Sequence, residues 1–187
     1  MSDTHTNPDG SIVSIHVGAG ATIADDATIG EYAHIGARVV IGERTYLGDG
    51  AYVADDATIG ERAIIGEYAY VGERAYVGAD ARIDADVIVR ARANIGERAI
   101  ISRRADIGAY ATIADDATIG EYAVIGEQTF IGERADIGAY ARIGADATVR
   151  ARANIGERAI IRRRVVIGER VSIGGDVRVI RSVSIIN

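Results

Sequence analysis

Residues 119–125 read Ile-Gly-Glu-Tyr-Ala-Val-Ile, and the fold is decided by how this stretch continues in both directions. In steps of six from Ile119, every position from Val17 to Ile185 is Ile, Val or Leu, 29 in succession with no insertion. Two residues before each stands a small or β-branched residue, Ala at 20 of the 29 positions, and Gly follows the aliphatic at 19 of them. An inward pair separated by two has the side-chain period of a β-strand. Each hexad is therefore predicted to be a short strand followed by a turn. The Gly after the aliphatic is expected to sit in the bend, because it enters backbone regions closed to residues with a Cβ. A helix would need apolar spacings of three and four, and Gly at this density would destabilise it by about 1 kcal/mol each. Collagen needs abundant proline, and the chain has one. A short period sustained over the whole chain marks a solenoid, whose units bury their apolar faces only against one another.

The repeating unit resembles that of the hexapeptide-repeat superfamily: Ile, Leu or Val, then Gly, two variable residues, then Ala, Val or Thr and one more variable residue. It stands here as Ile-Gly-Glu-Arg-Ala-Ile-Ile at 95–101 and again at 119–125, and the resemblance covers residues 15–186. It implies an all-β chain wound as a left-handed parallel β-helix (β-solenoid), with three hexads per triangular coil. With 29 hexads that gives about ten triangular coils and no inserted loops. At a strand spacing of ~4.8 Å the rod would be roughly 45 Å long. The left-handed winding departs from the usual right-handed crossover and follows from the resemblance alone.

Residues 1–10 (MSDTHTNPDG) fall outside the period and are expected to form a polar, flexible N-terminal arm, with residues 11–187 a single continuous solenoid. The arm lacks the basic and apolar blocks of a signal peptide. No apolar run approaches the ~20 residues of a membrane span, so a cytoplasmic location is the default expectation. Absence of Cys excludes disulfides and thiolate metal sites. All 21 basic residues are Arg, and the net charge of −6 conceals a gradient. Residues 1–140 carry 11 Arg against 23 acids, whereas residues 141–187 carry 10 Arg against 4, giving an acidic body and a basic tip.

Longer copies overlie the hexads. RARANIGERAII occurs at 90–101 and 150–161, and ATIADDATIGEY at 21–32 and 111–122. If a coil is 18 residues, the first pair of copies falls on different sides of the rod. These duplications are therefore indifferent to which face receives each block.

Histidine is the first candidate for chemistry, because many members of the superfamily resembled are acyltransferases or γ-type carbonic anhydrases. His5 lies in the arm; His16 and His34 each precede an aliphatic and are 18 apart, which would stack them on one face. A catalytic zinc usually takes three protein ligands, and the transferases resembled usually pair a catalytic His with a protruding loop. Neither a third clustered His nor an interrupted hexad is present, so no catalytic, metal or cofactor-binding residue is expected. The acid pairs Asp25–Asp26, Asp55–Asp56 and Asp115–Asp116 read as turn formers, being too few for a calcium site. A charged ladder three residues before the aliphatics places Asp80 and Asp116 each between two arginines, inviting cross-strand pairing. Arg162, Arg163 and Arg164 could grip phosphates, yet no aromatic follows Tyr140 to stack bases, so no nucleic-acid partner is expected. No regular Thr-x-Thr array supports ice binding.

Tyr32, Tyr52, Tyr68, Tyr70, Tyr122 and Tyr140 are placed by the coil length on the face of His16 and His34, as a candidate lateral interface. The resemblance implies trimerisation through such a face. Ile12, Val13 and Ile15 at one end, and Ile180, Val183, Ile185 and Ile186 at the other, are candidate axial assembly ends, since uncapped strands are adhesive. The first expectation is a non-catalytic structural solenoid that associates with itself, end to end into filaments, with no small-molecule substrate. The alternative is a hexapeptide-type enzyme, an acyltransferase or γ-carbonic anhydrase-like, acting at a trimer interface around His34.

Overall fold

The computed structural model describes residues 3–182. Strand β1 (Asp3–Thr6) is followed by β2 (Ile12–Val17), and from β3 (Thr22–Ile23) to β29 (Arg178–Val179) a two-residue strand recurs every six residues. Each of these short strands holds one outward residue and the buried aliphatic that follows it. Every strand from β2 to β26 pairs in parallel with the strand three further along, as Ile64↔Arg82 and Ile65↔Ile83 do between β10 (Ile64–Ile65) and β13 (Arg82–Ile83). One coil is therefore 18 residues, and the chain is an all-β parallel solenoid of three sheets. The first runs from β1 and β2 through β5 (His34–Ile35) to β29, the second from β4 (Thr28–Ile29) to β28 (Ser172–Ile173), and the third from β3 to β27 (Val166–Ile167). The described residues make about nine turns, against the ten expected for the whole chain.

The inward positions form a continuous column of Ala and Ile, such as Ala117 and Ile119, shielded from water. Burying one such Ile contributes about 2–3 kcal/mol. Two inward positions are polar. Thr45 and Thr129 each donate from Oγ1 to a glycine carbonyl, that of Gly60 at 2.9 Å and that of Gly144 at 3.1 Å, so the core carries them without an unpaired group.

The corners correct the expected role of glycine. Ala51 N–H donates to Gly48 O at 3.1 Å, closing a turn in which Gly50, two residues after Gly48, has φ +63°. That left-handed position, not the one after the aliphatic, is where the chain bends, as in a type II turn. At the other corners it is filled mostly by Arg, Asp and Tyr, with φ of 54–60°. A side chain there costs about 1–2 kcal/mol, offset in part because the same residue's N–H donates to the preceding coil, as Arg98 does to Ala79 O at 3.0 Å. The glycine after the aliphatic is needed for clearance. A Cβ on Gly126 would lie 2.4 Å from Ala145 N and 2.7 Å from Gly144 C, inside the backbone of the next coil.

Residues 3–10 also differ from the flexible arm expected of them. β1 folds back antiparallel on β2, with His5 opposite Val13 and Thr6 opposite Ile12. The connecting turn is Asn7-Pro8-Asp9-Gly10, in which Gly10 N–H donates to Asn7 O at 2.9 Å and Gly10 takes φ +85°. Proline, aspartate and glycine suit these three turn positions in that order. Ser11 donates to the Asp9 carboxylate from both its hydroxyl and its N–H, which lowers the Asp9 pKa.

Asn7 itself is buried and acts as a missing strand. Its Oδ1 accepts from Ile29 N–H at 2.8 Å and its Nδ2 donates to Ile29 O at 3.0 Å, covering the edge of the second sheet at β4. The hairpin thus covers β2 of the first sheet and β4 of the second, while among the described residues no strand lies beyond β3 in the third. Asn7→Ala is expected to cost about 2–3 kcal/mol, because two backbone groups of Ile29 lose their partners. Hydrogen exchange at the Ile29 amide, together with the thermal midpoint, checks this.

Candidate functional site

The in-register coils place outward residues 18 apart directly above one another. On the first sheet this builds a column of rings from β2, β5, β8 (Tyr52–Val53) and β11 (Tyr70–Val71). His16 and His34 stack with centroids 4.4 Å apart, His34 and Tyr52 at 4.3 Å, and Tyr52 and Tyr70 at 5.3 Å. The imidazole of His34 is half-buried between its neighbours. Its pKa is lowered, first by this burial and then by the positive charge that His16 can carry, against a smaller opposing pull from the Asp55 carboxylate. His34 is therefore neutral at physiological pH, with one ring nitrogen free to accept a proton. His5 does not join the column. Its Nε2 lies 3.5 Å from Ala27 O, at the cap.

The six tyrosines do not form one stripe. Tyr52 and Tyr70 stand on strands of the histidine column, whereas Tyr32, Tyr68, Tyr122 and Tyr140 occupy left-handed corner positions entering the same sheet. Tyr122 and Tyr140 stack at 4.9 Å, and Arg104 lies over the Tyr122 ring and donates to its hydroxyl. The Tyr68 ring covers the backbone at Gly50, where a Cβ would meet it at 2.7 Å.

The charged ladder lies along the corner entering the second sheet, at turn positions rather than on strands. Arg62 bonds Asp80 through two nitrogens at 2.7 Å, and Asp116 takes Arg98 at 2.7 Å and Arg134 at 3.8 Å. Hydrogen bonds from Arg62 and Arg98 lower the Asp80 and Asp116 pKa values respectively. The acid pairs are turn elements as expected. Asp55 Oδ1 accepts from Ala37 N–H and Asp115 Oδ1 from Glu97 N–H, both at 2.9 Å. Of the basic cluster, Arg163 and Arg164 both reach Asp146, at 3.6 and 3.7 Å. No group of three or more His, Asp or Glu among the described residues could hold a metal ion.

At the axial ends, Val13 and Ile15 are core residues on the second strand of the hairpin, Ile12 and Ile180 are exposed, and Val183, Ile185 and Ile186 lie outside the described residues. No helix among the described residues is long and apolar enough to cross a membrane.

The bacterial transferase hexapeptide family (six repeats) matches residues 38–73. None of the curated protein sequences compared with the chain matches it. Among solved structures, it is similar to the UDP-N-acetylglucosamine O-acyltransferase (LpxA) of Moraxella catarrhalis, with a TM-score of 0.80 and 20% identity over 87% of this chain and 71% of that one. LpxA from Acinetobacter baumannii gives 0.76 and 21%, over 78% of this chain and 64% of that one. The UDP-N-acetylglucosamine acyltransferase of Francisella novicida gives 0.71 and 19%, over 91% and 62%. The chain thus spans less than two thirds of two of these enzymes. At such identities the likeness is one of fold. Its repeat pattern and coil geometry resemble those of the hexapeptide-repeat superfamily, whose family model matches residues 38–73, and no particular member is singled out.

These findings correct the expectation of a non-catalytic structural solenoid joined end to end into filaments. At the N-terminal end the chain's own hairpin covers β2 and β4, and the solved chains that share the coil are acyltransferases. The coil is thus a fold that acyltransferases use, and it is no ground for reading the protein as non-enzymatic. The histidine column also refines the sequence reading: coil length was enough to pair His16 with His34. The half-buried stack continuing into Tyr52 needed ring orientations that spacing does not give.

Proposed function

We propose that the chain is a hexapeptide-type acyltransferase whose active centre is completed between copies of the chain around His34. The observation that carries this reading is the half-buried imidazole of His34, stacked between His16 and Tyr52, with its pKa lowered first by burial. A neutral imidazole can accept the proton of an acceptor hydroxyl as its oxygen attacks the carbonyl carbon of an activated acyl donor. The imidazolium then returns that proton to the departing group as the acyl bond to it breaks. The acyltransferase activity of the Moraxella and Francisella enzymes, which share this coil, supports the reaction class. In a single chain the column faces solvent. A second copy against this sheet would exclude water from the reacting atoms, and the trimerisation implied by superfamily resemblance supplies the copies. The carbonic anhydrase-like reading has less support, since the column offers two imidazoles and no third ligand.

The test measures assembly by sedimentation, and thiol release from a panel of acyl thioesters with hydroxyl-bearing acceptors, for the parent chain and for His34→Ala. An assembled parent that transfers acyl groups, with His34→Ala folded but inactive, is the expected outcome. A parent that stays monomeric and inert across the panel, or a variant as active as the parent, overturns the proposal.

A further inference from the structure

The third sheet carries a second arrangement, remote from the histidine column and independent of the acyl-transfer reading. Its outward residues on β12 (Tyr76–Val77), β15 (Asn94–Ile95), β18 (Thr112–Ile113) and β21 (Phe130–Ile131) lie in register as Tyr76, Asn94, Thr112 and Phe130. The first three line a shallow groove of about 360 Å³ whose rim includes Glu97 and Asp115 and no arginine. Tyr76 and Phe130 are exposed rings, three rungs or about 14 Å apart. Between them stand the Asn94 amide and the Thr112 hydroxyl.

An internal control shows that this polar pair is unspent. Asn94 and Asn154 occupy the same place in identical copies of RARANIGERAII. Asn154, on the second sheet, donates to the Asp136 carboxylate at 3.4 Å. Asn94 faces Tyr76 and Thr112, neither of which binds it. Copying the block onto another sheet thus left one amide occupied and the other open. An amide and a hydroxyl each both donate and accept, which suits a ligand whose own groups do the same.

The rim narrows the choice. Asp115 already accepts Glu97 N–H through Oδ1, and Glu97 lies 3.6 Å from Arg98 outside the groove. The carboxylates are thus partly compensated, and with no cation facing the groove a phosphate-bearing ligand would be repelled. Aromatic faces flanking neutral donors and acceptors fit rings that are apolar on one face and hydroxylated at the edge.

We infer that this face binds a neutral oligosaccharide laid along the rod axis, with pyranose rings on Tyr76 and Phe130 and hydroxyls on Asn94 and Thr112. Amide chemical shifts of the full chain, titrated with cellohexaose, maltohexaose and chitohexaose to about 10 mM, well above a millimolar Kd, test this. One of the three should perturb residues 76, 94, 112 and 130 together. Tyr76→Ala should weaken binding roughly tenfold, the scale of one lost stacking contact, and Asn94→Ala should weaken it measurably. Asn154→Ala should bind as the parent does. All three positions are exposed, so the variants are expected to fold, and unchanged spectra away from the site confirm it. No perturbation by any of the three sugars overturns the inference, as does binding indifferent to both Tyr76→Ala and Asn94→Ala. Shifts at the same residues that depend on protein concentration without sugar would assign the face to a second copy instead.

Discussion

Ile119→Asp is expected to abolish cooperative folding of the central coils, whereas Ile100→Asp should leave the protein nearly as stable as the parent. Ile119 is fully buried, and its register neighbours one coil before and after are Ile101 and Ile137. A carboxylate placed there is flanked by the side chains of Ile101 and Ile137, which offer it no polar partner. The penalty is on the order of 5 kcal/mol, because an unpaired buried charge is added to the loss of the Ile side chain. Neighbour-only contacts confine the damage at first to adjoining coils. Ile100 lies one coil earlier on the same sheet but points outward, with Arg82 as its register neighbour. A carboxylate there meets solvent and a guanidinium, and the change should stay within about 0.5 kcal/mol. Chemical denaturation of both variants is the check. Equal losses would contradict the inward and outward assignment along the whole solenoid.

The second large effect concerns the proposed reaction. Removing the imidazole in His34→Ala should lower the transfer rate about 10²–10⁴-fold, the usual worth of a positioned general base. Its pH dependence carries a sign. The neutral form is the active one, so the rate should fall about tenfold per pH unit below the pKa of His34. Burial and His16 both hold that pKa below the ordinary imidazole value, so activity should persist into more acidic solution than a free imidazole would allow. His16→Ala removes a like charge stacked at 4.4 Å. It also uncovers one face of the ring, which lessens the desolvation. Both changes raise the His34 pKa, so the acid limb of the rate profile should move to higher pH while the plateau rate changes little. A profile that does not move in His16→Ala would show that His16 does not tune the base. A plateau that collapses would place His16 in the chemistry itself.

How far the sequence could be read depended on the kind of interaction. The inward column was legible from Val17 onward, because burial repeats every six residues and leaves a compositional record. The corners were only half legible. Gly marks the place where neighbouring coils touch, and the left-handed residue two positions later carries Arg, Asp or Tyr, which signal nothing about φ. The hairpin was missed although Asn7-Pro8-Asp9-Gly10 is a strong turn sequence. Its partner strand begins at Ile12, outside the hexad pattern, and Asn7 works through a contact 22 residues away. The ring column was legible as register. The lowered His34 pKa was not, since it depends on how the rings lie on one another.

The cap described above has a consequence for the way the molecule comes apart. A rod held only by neighbour contacts melts from its least protected strand inward. At the N-terminal end β1 and Asn7 cover β2 and β4, and among the described residues the third sheet begins at β3 with no strand beyond it. Opening at that end should therefore be lopsided, peeling β3 away while the hairpin still grips the other two sides. The histidine column hangs from the hairpin-bound sheet. The first coil can breathe on one side while the rings on another keep their stack.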